Sequence, residues 1–236
     1  MTNIVESMID DPVLVEKRRA QIVAAATTLF ASQGFYRTTI KEIAKKAGVS
    51  PGLVYQYVRE KEDVLLLVLL GVVDAYAREI PRAIAGINDP LERLTATISA
   101  YCQVVERHRA ATVLAYRSTK SLAPEKRAII QRREIETNQL ISSALSACIK
   151  AGYVRKIDLD VATYQIVMAA HGWALKSWYF KTRMSVDEYV DATIDLIFSG
   201  LLTTSGQARY RGARSGRAAQ LVNATGMRER NQHRRR

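Results

Sequence analysis

The feature that most constrains the fold is the close spacing of helix start and stop signals in residues 39–57. Thr39 and Glu42 have the spacing of a capping box, in which a hydroxyl and a carboxylate bond the free N–H groups of a helix start. Gly48 ends that helix, because glycine readily takes the left-handed conformation of a tight turn. Ser50 caps a further helix almost at once. The stretch therefore predicts two short helices joined at an angle, a helix-turn-helix.

The second helix of this unit has a polar face that a protein core does not need. Helical spacing places Val54 inward, whereas Tyr55, Gln56 and Tyr57 are expected to remain on the outside. Pro51 and Gly52 leave a small helix N-terminus whose free N–H groups can approach phosphate. Tyrosine hydroxyls bond phosphate, and a glutamine amide can read a base edge in the major groove. The face therefore indicates DNA binding, with packing of a tyrosine against the following helix as the alternative.

The distribution of charge also favours a polyanionic partner. The formal net charge is +12. Residues 205–236 contain nine Arg and one Glu, and residues 17–61 contain nine basic and two acidic residues. Basic zones of this kind are typical of nucleic-acid-binding proteins. Charge alone would also fit a nonspecific nucleoid-type DNA binder, and that alternative stays open at this point.

Helical periodicity runs through nearly the whole chain, and no segment alternates in the manner of a strand. The two cysteines, Cys102 and Cys148, have no CxxC partner, which argues against a metal site or a disulfide framework. No cofactor is expected either. The longest apolar run, residues 64–73, is too short to cross a bilayer. The first residues of the sequence do not have the pattern of a secretory signal. We therefore expect a cytoplasmic protein that does not bind membranes.

No group of residues in the sequence predicts an enzyme. The chain has no GxSxG, HExxH or phosphate-binding glycine loop. Asp158 and Asp160 are paired carboxylates, but they lie at a predicted helix start and serve capping there. An enzyme or a sequestering carrier with a helical pocket is a further alternative, and no catalytic group supports it.

Residues 17–65 closely resemble the DNA-binding domain of the tetracycline-repressor (TetR-like) family. Four segments carry the resemblance: the alanine-rich first helix ending Phe30…Gly34-Phe35, Thr38-Thr39-Ile40, Ile43-Ala44…Ala47-Gly48-Val49-Ser50, and Gly52-x-x-Tyr55-x-Tyr57-x-x-x-Lys61. Val58 departs from the pattern, since an aromatic residue is commoner there. The resemblance implies DNA contacts at Thr39, Lys41, Ser50, Pro51, Gly52, Tyr55, Gln56, Tyr57 and Lys61.

The resemblance also implies the fold and the way the protein acts. The expected fold class is all-α, with an N-terminal three-helix helix-turn-helix DNA-binding domain and a larger C-terminal helical domain for ligand binding and dimerisation. We expect a flexible N-terminal arm (1–12), the DNA-binding domain (13–62), the ligand-binding and dimerisation domain (63–204) and a basic, disordered tail (205–236). Such a protein is a homodimeric repressor, released from a palindromic operator in double-stranded DNA by a small-molecule inducer. Its dimer interface would lie mainly on the predicted helices 158–181 and 185–200.

The inducer is the least constrained part of this hypothesis. Residues 107–134 place two basic helices on either side of a Leu-x-Pro-Glu break and look like the subgroup of TetR-like regulators that sense acyl-coenzyme A thioesters. A solvated face with helix pairs such as Arg132–Glu136 is the alternative for this region. The two tryptophans are expected to be packing anchors in a dimer core or contacts to the ligand. The candidate ligand-binding residues are Arg109, Val113, Tyr116, Arg117, Arg133, His171, Trp173 and Trp178.

Overall fold

The structure is a computed structural model that describes residues 4–215, and helices make up most of this range. Within it, the only β-structure is an isolated bridge between Val154 and Leu202. A short 3-10 turn, Thr119–Ser121, follows α6. The helices are α1 (Pro12–Gln33), α2 (Ile40–Ala47), α3 (Pro51–Tyr57), α4 (Lys61–Ala83), α5 (Pro90–Arg107), α6 (Arg109–Ser118), α7 (Pro124–Lys150), α8 (Leu159–Leu175), α9 (Ser177–Phe180), α10 (Val186–Leu201) and α11 (204–215). The predicted all-α fold class, with its N-terminal helix-turn-helix, is confirmed.

The start signals predicted for α2 and α3 form as hydrogen bonds. The hydroxyl of Thr39 accepts from the backbone N–H of Glu42 at 3.2 Å, and the Glu42 carboxylate accepts from the N–H of Thr39 at 2.8 Å. The hydroxyl of Ser50 accepts from the N–H of Leu53 at 3.2 Å. Each bond satisfies a donor that a helix start leaves free.

Helix α4 connects the helix-turn-helix to the rest of the chain. It begins at Lys61, beside α3, and packs against α1, α5, α6 and α7 along its 23 residues. Several of its apolar side chains, among them Leu65 and Ile80, have no exposed surface. Burial of this kind contributes about 25 cal/mol for each Å² of apolar surface removed from water. One apolar core includes both Ile43 of α2 and the buried residues along α4.

The long helix predicted over residues 158–181 is two helices. Helix α8 ends at Leu175, and Lys176 adopts φ −115° and ψ 25°, outside the helical range. Helix α9 then turns back, so that the rings of Phe180 and Trp173 stack with centroids 6.2 Å apart. Helical periodicity continues through this turn, which is why the sequence pattern did not predict it.

The two chain ends also differ from the flexible segments that the sequence suggested. The described part of the N-terminal arm, residues 4–11, lies against α1 and α3, and Val5 is 3% exposed. At the other end, residues 204–215 form α11. Ion pairs hold it: Arg209 contacts Asp89, and Arg214 contacts Asp195. Residues 1–3 and 216–236, which include most of the expected basic tail, lie outside the described residues.

Candidate nucleic-acid interface and ligand cavity

A tight turn and three buried side chains fix α3 relative to α2. Gly48 has φ of 69°, in the left-handed region, as the sequence predicted. The N–H of Val49 donates to the carbonyl of Ala44 at 3.0 Å, which closes the turn. Ile43, Ala44 and Val54 have no exposed surface and form the contact between the helices. The outer face of α3 is therefore held at a fixed angle to α2.

Most of the predicted DNA contacts lie on the exposed side of this unit. Tyr55 is 46% exposed, and the space around Gly52 is open, since a Cβ there would meet nothing within 4 Å. The hydroxyls of Thr39 and Ser50 serve as helix caps while their residues remain exposed. The predicted contacts that are exposed are Thr39, Lys41, Ser50, Pro51, Gly52, Tyr55 and Gln56.

Unpaired cations surround these residues. Arg37, Lys41, Lys45 and Lys46 are exposed, and none of them forms an ion pair with another residue of the range 4–215. Unpaired lysines and arginines beside a helix-turn-helix can neutralise phosphates and release counterions. This surface therefore has the charge expected of a DNA-binding face.

Two predicted contacts do not lie on that surface. Tyr57 is 2% exposed and belongs to the core, so packing, the alternative for one of the tyrosines, applies to it. The ammonium of Lys61 donates to the carbonyls of Phe35 at 2.9 Å and Thr38 at 3.0 Å, and it lies 4.5 Å above the Phe35 ring. Lys61, which the resemblance implied as a DNA contact, thus has its ammonium bonded within the protein. Lys61 ties the start of α4 to the turn between α1 and α2.

A cavity of about 280 Å³ lies in the larger part of the molecule. Five helices, α4 to α8, contribute side chains to it. The apolar part of its lining comes from Leu69, Val72, Val73, Ala115 and Ile130, and the polar part from Tyr76, Tyr101, Thr112, Tyr116, Thr119, Gln131, Glu134, Thr137 and His171. The lining includes no Lys or Arg, which distinguishes this cavity from the α2–α3 surface.

His171 stands at the centre of the polar part of the cavity. Its Nδ1 lies 2.8 Å from the hydroxyl of Tyr116, and its Nε2 lies 3.3 Å from the hydroxyls of both Tyr76 and Tyr101. The rings of Tyr76 and Tyr101 stack with centroids 4.1 Å apart. A neutral imidazole has one N–H, so it cannot satisfy all three hydroxyls as donor or acceptor at once. The imidazole and the three hydroxyls therefore form one polar cluster in the wall of the cavity.

Burial shifts the pKa of each of two ionisable groups of the cavity, His171 and Glu134, in the direction of the neutral form. It lowers the pKa of His171 from 6.5 to about 4, so the imidazole is neutral near pH 7. It also raises the pKa of the Glu134 carboxyl. Desolvation favours the neutral form of either group. The cavity therefore offers hydrogen bonds without a positive charge.

The residues predicted to bind ligand do not form one site. Tyr116 and His171 line the cavity. Arg133 lies in a neighbouring groove between α4 and α7, which shares Val73 and Thr137 with the cavity. Three others, Arg109, Val113 and Arg117, line a separate groove between α1 and α6.

The two tryptophans lie outside the cavity. Trp173 is 1% exposed, and its Nε1 donates to the Glu106 carboxylate at 2.6 Å. Trp178, on α9, is 71% exposed. Trp173 is thus a core anchor, and Trp178 belongs to the outer surface.

Sequence reasoning missed the residues that give the cavity its chemistry, Tyr76, Tyr101 and Glu134. Tyr76 and Tyr101 each fall in a helical apolar pattern, where an aromatic residue is expected to be a packing residue of the core. A polar atom in such a position needs a partner, but its partners here come from other helices. Only the structure brings them to His171.

Within residues 4–215, no three His, Cys, Asp or Glu side chains are grouped so that they could hold a metal ion. None of the helices there is long and apolar enough to cross a membrane.

Two family models match the chain. Residues 22–68 match the model described as bacterial regulatory proteins, tetR family. Residues 88–201 match the model described as tetracyclin repressor-like, C-terminal domain. The matched ranges contain the α2–α3 unit and helices α5 to α8 around the cavity. Residues 69–87, which include the part of α4 that lines the cavity, lie between the two matched ranges.

Similar proteins include transcriptional regulators. The HTH-type transcriptional regulator HbdR of Aromatoleum sp. (strain CIB) is 49% identical over 203 residues, 86% of this chain and 89% of the relative. The HTH-type transcriptional repressor KstR2 of Mycobacterium tuberculosis (strain ATCC 25618 / H37Rv) is 28% identical over 166 residues, 70% of this chain and 82% of the relative. The crystal structure of AibR in complex with isovaleryl coenzyme A and operator DNA has a TM-score of 0.67 at 21% identity and covers 77% of this chain and 98% of AibR.

Proposed function

Since this chain belongs to the tetR family of bacterial regulatory proteins, we propose that it is a dimeric repressor that a small-molecule inducer releases from a palindromic operator. One observation carries the proposal. Helix α4 lines the cavity through Leu69, Val72 and Tyr76, and its first residue, Lys61, is bonded to the α1–α2 turn. A ligand in the cavity therefore touches the same rigid helix that positions the DNA-binding surface.

The operator contacts in this proposal are the exposed residues of the α2–α3 unit. Tyr55 and Gln56 face outward from α3, where they would enter the major groove, and Lys41 would meet the phosphate backbone. A two-fold dimer reads half-sites that are about one helical turn, roughly 34–36 Å, apart or a multiple of that distance. The operator should therefore be a palindrome with half-sites in the same helical phase.

Helices α8 and α10 offer the surface for pairing two subunits. Val161, Tyr164 and Met168 recur at helical spacing on α8 and are 59%, 44% and 46% exposed. Leu196 on α10 is 75% exposed. Large apolar side chains grouped on a surface indicate an interface. We place the dimer contact on these helices, in keeping with their role in the family.

The chemistry of the cavity favours a neutral acyl group over a free acid. A carboxylate would meet no Lys or Arg in the lining, and the half-buried carboxyl of Glu134 would offer it no positive charge. An uncharged thioester carbonyl can accept hydrogen bonds from the tyrosine hydroxyls. Arg133, in the neighbouring groove, is 41% exposed and contacts Asp74 and Glu136 only at 3.9 and 3.5 Å. It is thus available to the phosphates of a coenzyme A moiety, a group that arginine binds well.

The turn after α6 and the start of α7 also connect the cavity to the DNA-binding surface. Thr119 lines the cavity, and two residues further on the hydroxyl of Ser121 donates to the Tyr36 hydroxyl at 2.8 Å. Lys126 of α7 lies 2.6 Å from the Asp63 carboxylate, which accepts the backbone N–H groups of Arg59 and Glu60, just ahead of α4. An inducer acts only if it binds the released geometry better than the DNA-bound one. These contacts are the ones that would differ between the two states.

The test begins with the recovery and sequencing of genomic fragments that bind the full-length protein. The recovered operator is then titrated with acyl-coenzyme A thioesters and with the matching free acids. We expect a palindrome, and release by a thioester at concentrations where its acid has no effect. Fragments without a common sequence would favour the nonspecific nucleoid-type alternative, and a single unrepeated half-site would contradict the two-fold pairing. Release by the acid alone would contradict the ligand assignment and leave the repressor proposal standing.

A further inference from the structure

Helix α3 is short, and its C-terminal end needs support from elsewhere in the chain. It has seven residues and ends at Tyr57, and the next residue, Val58, is extended, with φ −146° and ψ 146°. The last carbonyls of any helix lack partners within the helix, and a helix this short is not stable by itself. Gln56, an outward residue proposed to read DNA, lies in this final turn. Whatever bonds these carbonyls therefore controls where Gln56 points.

The N-terminal arm supplies the missing donors. The backbone N–H of Met8 donates to the carbonyl of Gln56 at 2.8 Å, and the hydroxyl of Ser7 donates to the same carbonyl at 3.1 Å. The guanidinium of Arg19, on α1, donates to the next carbonyl, that of Tyr57, through Nε at 3.1 Å and Nη2 at 3.0 Å. Donors on the N-terminal arm and on α1 thus bond the carbonyls of Gln56 and Tyr57 at the end of α3.

Arg19 also holds the arm in place. Its Nη2 donates to the carbonyls of Val5 at 2.7 Å and Glu6 at 3.1 Å, so one guanidinium bridges the arm and α3. Val5 is buried to 3% exposure, and Glu6 forms an ion pair with Arg59, just beyond α3. A buried apolar side chain, an ion pair and shared hydrogen bonds fix the arm against the end of the helix.

We propose that residues 5–8 and Arg19 form a clamp that positions α3 and that sequence-specific DNA binding depends on it. The inference rests on the proposed function, in which α3 reads the operator. Nonspecific affinity comes from cations near phosphates, which tolerate small displacements. Base contacts need side chains held within about 0.5 Å of their working geometry. Loss of the clamp therefore weakens operator binding and leaves nonspecific binding nearly unchanged.

The test compares point variants of the full-length protein on operator and on unrelated DNA at one salt concentration. Val5→Asp puts a charge in the buried contact and should release the arm, and we expect operator affinity to fall about tenfold or more, the size of one lost base contact. Affinity for unrelated DNA should stay within about twofold, because the phosphate contacts remain. Met8→Ala is the matched control, since the Met8 side chain is 76% exposed and only its backbone takes part.

Two further measurements keep the outcome clear. Hydrogen exchange at the amides of α3 should become faster in Val5→Asp and stay unchanged in Met8→Ala. If Val5→Asp does not fold, Ser7→Ala and Arg19→Gln replace it, and each should lower the ratio of operator to nonspecific affinity.

Three results would count against the clamp. Undiminished operator affinity in the folded variants would overturn it. A loss in Met8→Ala equal to that in Val5→Asp would also overturn it, since the arm would then act by touching DNA. If the unaltered protein shows no sequence preference, the proposed function fails first, before any variant is compared.

Discussion

The α2–α3 surface and the cavity are built in opposite ways. The surface comes from a short continuous stretch, residues 39–57, and its lysines face solvent without ion-pair partners in the described chain. The cavity takes its lining from five helices between Leu69 and His171, and none of its lining residues is basic. An exposed side chain of the α2–α3 surface can be removed without disturbing the packing of the core. Each polar group that lines the cavity, in contrast, is itself part of the core. Binding and stability are therefore separable in one region and linked in the other.

The largest expected effect compares two tyrosines, one from each region. Tyr101 is 1% exposed and stacks on Tyr76, whereas Tyr55 is 46% exposed. Tyr101→Ala should lower the free energy of unfolding by ~3–5 kcal/mol, because it leaves a void in the core. Tyr55→Ala should change it by no more than ~0.5 kcal/mol. Urea denaturation followed by circular dichroism measures both, and equal losses would show that the two regions do not differ in this way.

The next effect is a pH dependence that belongs to the cavity. The folded protein lowers the pKa of His171 from 6.5 to about 4. Between pH 4 and pH 6.5, the unfolded chain therefore binds a proton at this histidine that the folded chain does not bind. The free energy of unfolding should therefore be unaffected by this group above pH 6.5 and should fall by ~3 kcal/mol as the pH drops toward 4. His171→Gln should remove this part of the slope in denaturation curves measured from pH 7 to pH 4. Burial also lowers the pKa of the half-buried His108, outside the cavity, but less than that of His171. His108→Gln should therefore remove a smaller part of the slope, and an equal change there would refute the assignment.

The smallest expected effects separate two roles within the α2–α3 surface. Gln56→Ala should cost ~1–3 kcal/mol on the operator and little on unrelated DNA, because it removes a base contact. Lys41→Ala should weaken binding to both and reduce the salt slope by about one, because it removes a phosphate contact. Titrations on operator and unrelated DNA at several salt concentrations measure both quantities. The two roles would be wrongly assigned if Gln56→Ala weakened binding to all DNA equally.

The helix-turn-helix could be predicted because its determinants are local. The Thr39–Glu42 capping box and the left-handed turn at Gly48 depend on residues within a few positions of each other, and both form as expected. Whether a single side chain is exposed depends on contacts with residues that are distant in the sequence. Tyr57 is buried, and Lys61 bonds the carbonyls of Phe35 and Thr38, contacts that span more than twenty residues of sequence. Periodicity within one helix does not contain that information.

The cavity and the chain ends could be predicted only in part. Tyr116 and His171 were identified, but Tyr76 and Tyr101 reach them from two other helices. The composition of the two ends suggested disorder. Instead, Val5 is buried, and carboxylates on α5 and α10 pair with the arginines of α11. Such contacts arise only when distant segments are brought together by the fold.

The position of Val5 has a practical consequence for expressing and annotating this protein. It lies ahead of residues 22–68, the range that matches the family model, so a reading frame begun ten codons later would keep that whole match. Such a shortened product would lack the segment that bonds the end of α3. The choice of initiation codon, and the placement of an affinity tag at the N-terminus, thus become variables in any assay of operator recognition.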